Sequence, residues 1–268
     1  MGVNDQQCYS CGRRNPGLWG FGPILRRLGN DLGFAPLVVY GCSAMYMFSL
    51  LLTLKDGGNI MGGGLFSMLS PGQLSILRLG VSGAVPVFTL GMWWTVLSAG
   101  WLHGSALHIL LNMMAFRQLG PPVADLYGGS RMVIIYTVSS ACGFLLSSVA
   151  GRVMPPLPII GGASFTLGAS AAIFGLVGAL VYYGRRGGSS HIGAQAQSFA
   201  VSMFVFGLIF PGIDNYAHAG GFAGGYLMAR WMDPLKPERV DHMVGAAVCL
   251  LATVLSILAS FLFVNSHI

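Results

Sequence analysis

The stretch Gly168-Ala169-Ser170-Ala171-Ala172-Ile173-Phe174-Gly175 places one hydroxyl at the head of a long uncharged run. Only 8% of the 268 residues are charged and 54% are hydrophobic, so the chain has too few charges to cover a soluble globule of this size. We therefore interpret the uncharged runs as membrane helices, each of which needs about 20 residues to cross the hydrocarbon core. The sequence predicts an all-α, polytopic membrane bundle.

The gaps between charged residues, together with the glycine and proline clusters that interrupt the longer gaps, predict seven spans. These spans cover residues 35–54, 103–119, 132–151, 168–184, 195–212, 216–232 and 243–264. Three parts follow from them. Residues 1–33 form a cytoplasmic segment, residues 34–232 form a six-helix core, and residues 233–268 form a linker and a seventh helix. Loop 55–102, between the first two spans, is expected to lie at the membrane interface.

Lysine and arginine set the expected orientation. With the N-terminus in the cytoplasm, 11 of the 14 basic residues lie inside, and Lys55, Arg78 and Arg152 lie outside. We interpret the net charge of +6 as this topology signal and expect no nucleic-acid partner, because no basic patch is interleaved with aromatic residues. No signal peptide precedes Leu32, so the first span is expected to direct insertion, most simply into a prokaryotic inner membrane.

Metal binding has weak support. Cys8 and Cys11 form a C-x-x-C, which is half of a structural zinc site, and a plain reduced pair is the alternative. His103 and His108 have neither the spacing nor the adjacent glutamate of a zinc-binding helix. We therefore expect no cofactor.

Ionisable residues inside a bilayer are costly, so each one is a functional candidate. The candidates within the predicted spans are His103, His108 and His218. His108 and Asn112 lie four residues apart and share one helix face. His103 lies about 140° around the helix from His108, so we expect it at the helix entrance, where it anchors the preceding loop.

Small residues predict which spans touch. Gly221 and Gly225 form a small-xxx-small stripe, and the fourth span offers small residues at matching spacings. Close contact of these two spans would bring the Ser170 hydroxyl within reach of the His218 ring. The second, fourth and sixth spans all run from outside to inside in this topology, so their polar residues converge at one level in the outer half of the membrane.

These motifs together closely resemble the rhomboid intramembrane serine proteases. The residues that carry the resemblance are His103 and His108 with Asn112, Gly168-x-Ser170 with Ala-Ile-Phe-Gly after it, and Ala217-His218-x-Gly220-Gly221. The resemblance covers about residues 94–232, and the additional last span is similar to the 6+1 arrangement of that family.

The resemblance implies a Ser–His dyad in which Ser170 is the nucleophile and His218 is the general base. It also implies an oxyanion hole formed by His108, Asn112 and the backbone N–H of Ser170. Asp214, one turn before His218, is the candidate third member of a triad, and the alternative is an outer-loop residue.

Further residues take supporting roles by the same resemblance. Phe174 falls where the family has an aromatic ring stacked on the catalytic imidazole, and His103, Gly168 and Trp94 support the site. The implied substrates are single-span membrane proteins in the lipid bilayer, and the oligomeric state is left open.

Two positions depart from the family pattern, and two rival functions stay open. Ala171 replaces a glycine after the nucleophile, and Thr95 replaces an arginine after Trp94. The main rival is a catalytically inactive rhomboid-like protein that binds transmembrane helices. A solute transporter is disfavoured, because no inverted repeat is visible.

Overall fold

The computed structural model describes residues 29–61, 64, 67–154, 162–210 and 212–267. Seven long helices occur in these ranges: α1 Phe34–Lys55, α2 Ala106–Tyr127, α3 Gly129–Val153, α4 Ser170–Arg185, α5 Ser190–Ile209, α6 Asn215–Met232 and α7 Val240–His267. The predicted all-α, polytopic membrane bundle is confirmed. The predicted cytoplasmic segment up to residue 28, with Cys8 and Cys11, lies outside the described residues.

Four of the described helices, α1, α3, α5 and α7, are long and apolar enough to cross a membrane. The other three long helices, α2, α4 and α6, carry the predicted dyad and the predicted side chains of the oxyanion hole. Helix α4 has 16 residues, which corresponds to about 24 Å of helix. It is therefore shorter than the roughly 30 Å of hydrocarbon in a typical bilayer.

Helix α4 is the centre of the bundle, because every residue from Ala171 to Val181 is buried. Helix α6 packs on it through backbone contact. A Cβ atom added to Gly221 would lie 2.0 Å from the carbonyl oxygen of Ala171, and one added to Gly225 would lie 2.0 Å from that of Gly175. The contacts advance in the same direction along both helices, so α4 and α6 are parallel. The expected glycine contact between these spans is present.

Helix α3 packs against both α4 and α6 and runs antiparallel to α6. A Cβ atom on Gly220 would lie 2.8 Å from the carbonyl oxygen of Cys142, and one on Gly143 would lie 2.5 Å from that of Ala217. The first turns of α4 and α6 therefore both pack against the middle of α3, and this shared contact fixes the position of α4 relative to α6.

The bounds of α2 differ from the predicted span at both ends. The helix begins at Ala106 because the Ser105 hydroxyl caps it, accepting from the backbone N–H of His108 at 3.2 Å. It also continues through Pro121 and Pro122 to Tyr127. Both prolines are exposed, and the opposite face is held by the Tyr127 hydroxyl, which donates to the carbonyl oxygen of Ala179 at 2.9 Å.

The loop between α1 and α2 is more structured than the expected interfacial segment. Its described part contains the helices Gln73–Leu79 and Thr95–Ser98, a π-helical turn Val85–Thr89 and a 3₁₀ turn Ala99–Trp101. Several apolar side chains of this loop are buried in one cluster with Val264 of α7, namely Leu77, Leu79, Val81, Met92 and Leu102. The loop is thus packed between the core and the seventh helix.

At the other end of the bundle, buried Arg131 joins the ends of three helices. Its guanidinium donates to the carbonyl oxygens of Tyr127, Met232 and Asp233. The carboxylate of Glu238 accepts from the backbone N–H of Arg131 at 3.0 Å. This contact docks the linker that leads to α7.

Candidate active site

One cavity of about 510 Å³ opens among α2, α4, α5 and the start of α6. The structure brings five predicted site residues to its wall: His108, Asn112, Ser170, Phe174 and His218. The rest of the wall is mainly apolar. Four polar side chains from three helices therefore meet in one largely apolar cavity.

Ser170 is the first residue of α4. The N–H groups in the first turn of a helix have no acceptor within the helix, and they lie at the positive end of its dipole. Ser170 thus combines a half-buried side chain with a backbone N–H at the start of a helix that is shorter than a typical bilayer is thick.

His218 is buried in the first turn of α6. Its ring stacks on that of Phe174, with ring centroids 4.1 Å apart and planes 10° from parallel. Among the described residues, its Nδ1 has no hydrogen-bond partner, and no hydrogen bond joins its ring to the Ser170 hydroxyl. Catalytic hydrogen bonds are often long in unliganded enzymes and shorten when substrate binds.

Asp214 is engaged elsewhere. Its carboxylate caps α6 by accepting from the backbone N–H of Ala217 at 2.9 Å. It also accepts from the Thr166 hydroxyl at 2.6 Å and from the Ser147 hydroxyl. These contacts identify Asp214 as a residue that ties the start of α6 to α3 and to the segment before α4.

The two histidines near α2 take different positions. His108 lines the cavity, where its Nδ1 accepts from the backbone N–H of Gly104 at 3.3 Å. His103 lies before the helix and is almost completely buried, with its ring edge-on to that of His108 at 5.2 Å. The Asn112 amide donates to the backbone carbonyl of His108 at 2.9 Å, which fixes its side chain beside the cavity.

Gly168 supports the ring of His108. Its φ of +127° favours glycine, and a Cβ atom there would lie 2.6 Å from Nε2 of His108. Its backbone N–H donates to the carbonyl oxygen of Ala99 at 3.0 Å. Any other residue at this position would displace the imidazole, so Gly168 sets the depth at which His108 sits.

The two departures from the family pattern are both accommodated. The methyl group of buried Ala171 lies against α3, where a Cβ atom on Gly143 would be only 2.8 Å from it. Ala171 is therefore outside the cavity wall. Thr95 is buried, and its hydroxyl donates to the carbonyl oxygen of Met92 at 2.8 Å. Trp94 also lies away from the cavity. Its side chain packs against α7, where its Nε1 donates to the Ser260 hydroxyl at 3.0 Å.

The contribution of α5 was not anticipated from the sequence. This helix, together with the residue that caps its C-terminus, supplies bulky side chains to the cavity at spacings of four, three and four residues, namely Phe199, Met203, Phe206 and Phe210. The spacing is a helical stripe, so the signal was present in the sequence. In an apolar membrane helix it cannot be distinguished from a lipid-facing stripe without knowledge of the neighbours.

Among the described ranges, no group of three His, Cys, Asp or Glu side chains could hold a metal ion. The polar side chains of the cavity wall that the sequence had singled out are those of serine, histidine and asparagine.

The sequence model described as "Rhomboid domain" matches residues 90–234, which is more than half of the chain. The chain belongs to the rhomboid family. The rhomboid domain includes α2 to α6 and the last part of the loop before α2. It therefore contains every residue of the cavity wall.

Relatives of this rhomboid chain include one named as a protease and one named as inactive. "RHOMBOID-like protein 4" of Arabidopsis thaliana is 29% identical over 165 residues, which cover 60% of this chain and 39% of the relative. "Rhomboid protease GluP" of Bacillus subtilis is 30% identical over 180 residues, covering 66% and 33%. "Inactive RHOMBOID-like protein 8" of Arabidopsis thaliana is 29% identical over 134 residues, covering 48% and 35%.

The chain thus spans between a third and two fifths of the length of these three relatives. Family membership and the apolar helices make it an integral membrane protein. Most of the similar relatives are plant proteins, so they give no support to the prokaryotic inner membrane expected from the sequence.

Proposed function

We propose that this rhomboid chain is an intramembrane serine endopeptidase that cleaves single-span membrane proteins in or near their transmembrane segments. The observation that carries the proposal is the convergence of Ser170, His218, His108 and Asn112 on one apolar cavity. Burying four polar groups in such a cavity is costly, and a catalytic site accounts for all four at once.

In the proposed reaction, Ser170 Oγ attacks the carbonyl carbon of the scissile peptide bond while His218 takes its proton. His218 then returns this proton to the leaving amine, and water hydrolyses the acyl-enzyme by the same route. The stack on Phe174 holds the imidazole in one plane. With Asp214 capping α6, a dyad fits the contacts better than a triad does.

The oxyanion of the tetrahedral intermediate needs donors. We assign this role to the backbone N–H of Ser170, the His108 ring and the Asn112 amide, because all three residues line the cavity. A donor fixed before reaction stabilises developing charge more than a mobile one. Here Gly168 fixes His108, and the helix start fixes the N–H of Ser170.

The substrate would enter beside α5. The described residues of α5 that are buried are Gly193, Ala196 and Gly207. The first of them contacts Gly184 of α4, so the half of α5 beside the cavity is less tightly packed than its start. Its apolar stripe suits a transmembrane segment arriving from the lipid. We further propose residues 34–232 as the catalytic core and residues 233–268 as an appended helix, with the N-terminus in the cytoplasm and the site toward the outer face.

The second candidate function is a catalytically inactive rhomboid-like protein that binds transmembrane helices. Two observations favour this candidate. An inactive relative is among the matches, and the described residues include no hydrogen bond between Ser170 and His218.

A cleavage assay separates the two functions. The purified full chain in liposomes would be mixed with a panel of single-span proteins, with Ser170→Ala as the inactive control and Ser164→Ala as a matched serine variant outside the cavity. We expect cleavage by wild type and by Ser164→Ala, and none by Ser170→Ala. If wild type and Ser170→Ala both leave every substrate intact while substrates co-purify with them, the inactive binding function is correct.

A further inference from the structure

Helix α7 contributes none of the described residues of the cavity wall. We propose that α7 is nevertheless a positioning element of the active site, and that it acts through two buried serines, Ser256 and Ser260, which hold Trp94. The expected change in kcat rests on the proposed protease function. The expected contact of α7 with Trp94, and its effect on the segments before α2 and α4, does not.

The buried face of α7 carries hydroxyl groups that are used in two different ways. A hydroxyl in a membrane helix can satisfy itself by donating to the carbonyl four residues back. Thr253 does only this, donating to Cys249 at 2.9 Å. Ser256 instead donates out of the helix, to the backbone carbonyl of Trp94 at 2.7 Å.

Ser260 completes the attachment. Its hydroxyl donates to the carbonyl of Ser256 at 2.9 Å and accepts from Nε1 of Trp94 at 3.0 Å. The Trp94 ring also packs edge-on against Phe263, with centroids 5.8 Å apart. One residue is thus held through both its backbone and its side chain by α7, although the two segments are more than 160 residues apart in the chain.

The attachment is tight enough to transmit a displacement. Gly80 lies between Ser260 and Ser98, and a Cβ atom there would lie 2.7 Å from the Ser260 hydroxyl and 2.2 Å from that of Ser98. The Ser98 hydroxyl in turn donates to the carbonyl of Gly80 at 2.8 Å. Helix α7 and the turn after Trp94 therefore clamp the same glycine from two sides.

The segment held in this way leads directly to the site. Trp94 precedes the turn Thr95–Trp101, and the carbonyl of Ala99 in this turn accepts from the backbone N–H of Gly168. Gly168 supports the His108 ring and lies two residues before Ser170. A shift of Trp94 would therefore move the support of His108 and the start of α4, while the α5 wall of the cavity would stay in place.

This route predicts which kinetic constant changes. Releasing Trp94 should misplace the groups that act on the transition state and leave the apolar substrate wall unaltered. A lower kcat with an unchanged KM is the signature of such a loss. If the buried hydroxyls only stabilised the fold, every variant that lost one would contain less active protein, and kcat per active site would not change.

The test compares the double variant Ser256→Ala/Ser260→Ala with Thr253→Val in the full chain reconstituted in liposomes. Thr253→Val removes a buried hydroxyl from the same helix face without touching Trp94. We expect kcat per labelled active site to fall about three- to tenfold in the double variant, with KM within twofold of wild type and Thr253→Val unchanged.

Amide hydrogen exchange provides a second readout that does not depend on activity. The double variant should exchange faster than Thr253→Val in residues 94–104 and 166–170. With an active wild type, the proposal is overturned if either kcat or exchange is the same in the double variant and in Thr253→Val. If wild type cleaves nothing, the protease function fails, and exchange alone then decides whether α7 positions these segments.

Discussion

The two helices on either side of α4 differ at the level of the cavity, although α5 also meets α4 closely at its first turn, where Gly193 contacts Gly184. Helix α6 meets α4 backbone to backbone, through glycines that leave no room for a side chain. Helix α5 faces the cavity with large side chains, and most of its surface is exposed. The α6 side carries His218, whereas the α5 side carries no polar residue of the cavity wall among the described residues.

This difference separates two requirements of the proposed reaction. The dyad must be held within a fraction of an ångström of its working geometry, and close-packed backbones supply that rigidity. A transmembrane substrate must be admitted and accommodated, and the large apolar side chains on the less tightly packed half of α5 can rotate to allow this. Changes on the α6 side should therefore damage the protein as a whole, and changes on the α5 side should alter the choice of substrate.

The largest effect is expected for Gly221→Ala on α6. The added methyl group would lie 2.0 Å from the carbonyl oxygen of Ala171, so the two helices must move apart. We expect a loss of about 3 kcal/mol in the free energy of unfolding, together with loss of cleavage. Thermal unfolding in detergent would measure it, with the exposed Ala223→Leu on the same helix as control. Equal unfolding midpoints for the two variants would contradict a rigid α4–α6 interface.

A smaller effect is expected for Phe199→Ala on α5. Removing the half-buried ring enlarges the cavity, which should favour a larger side chain at the cleavage site. We therefore expect the preference for leucine over alanine at that site, measured as the ratio of the two kcat/KM values, to rise by about tenfold. Stability should fall by about 1 kcal/mol. Phe204→Ala is the matched control, because Phe204 is on the same helix but is not part of the cavity wall. An equal change of the ratio in both variants would show that α5 does not select the substrate.

The same comparison explains what the sequence could predict. The contact of α4 with α6 was predictable, because glycines at helical spacing have few other uses in a membrane helix. The polar residues of the site were predictable for a similar reason, since a histidine inside a bilayer needs an explanation. The helix cap at Ser105 also follows a local rule. The predicted span nevertheless began at His103, whereas the capped helix α2 begins after it, at Ala106.

Other features depend on partners far away in the sequence. The space for the Ala171 methyl group could not be judged from its own helix, because its neighbour Gly143 belongs to another helix. Asp214 could be recognised as a cap or a triad member only once Thr166 and Ser147 were placed beside it. The attachment of Trp94 to Ser260 has no local signal, since both residues are ordinary in their own segments.

The measurement that tests the central claim most directly is covalent labelling of the full chain with a fluorophosphonate probe, followed by identification of the labelled residue by mass spectrometry. The probe reacts only with a serine that a neighbouring base activates. We predict labelling at Ser170 in wild type, and a loss of at least about 100-fold in the labelling rate for His218→Ala. Labelling of Ser170 that is undiminished in His218→Ala, or labelling that is absent from Ser170 in wild type, would contradict the proposed dyad.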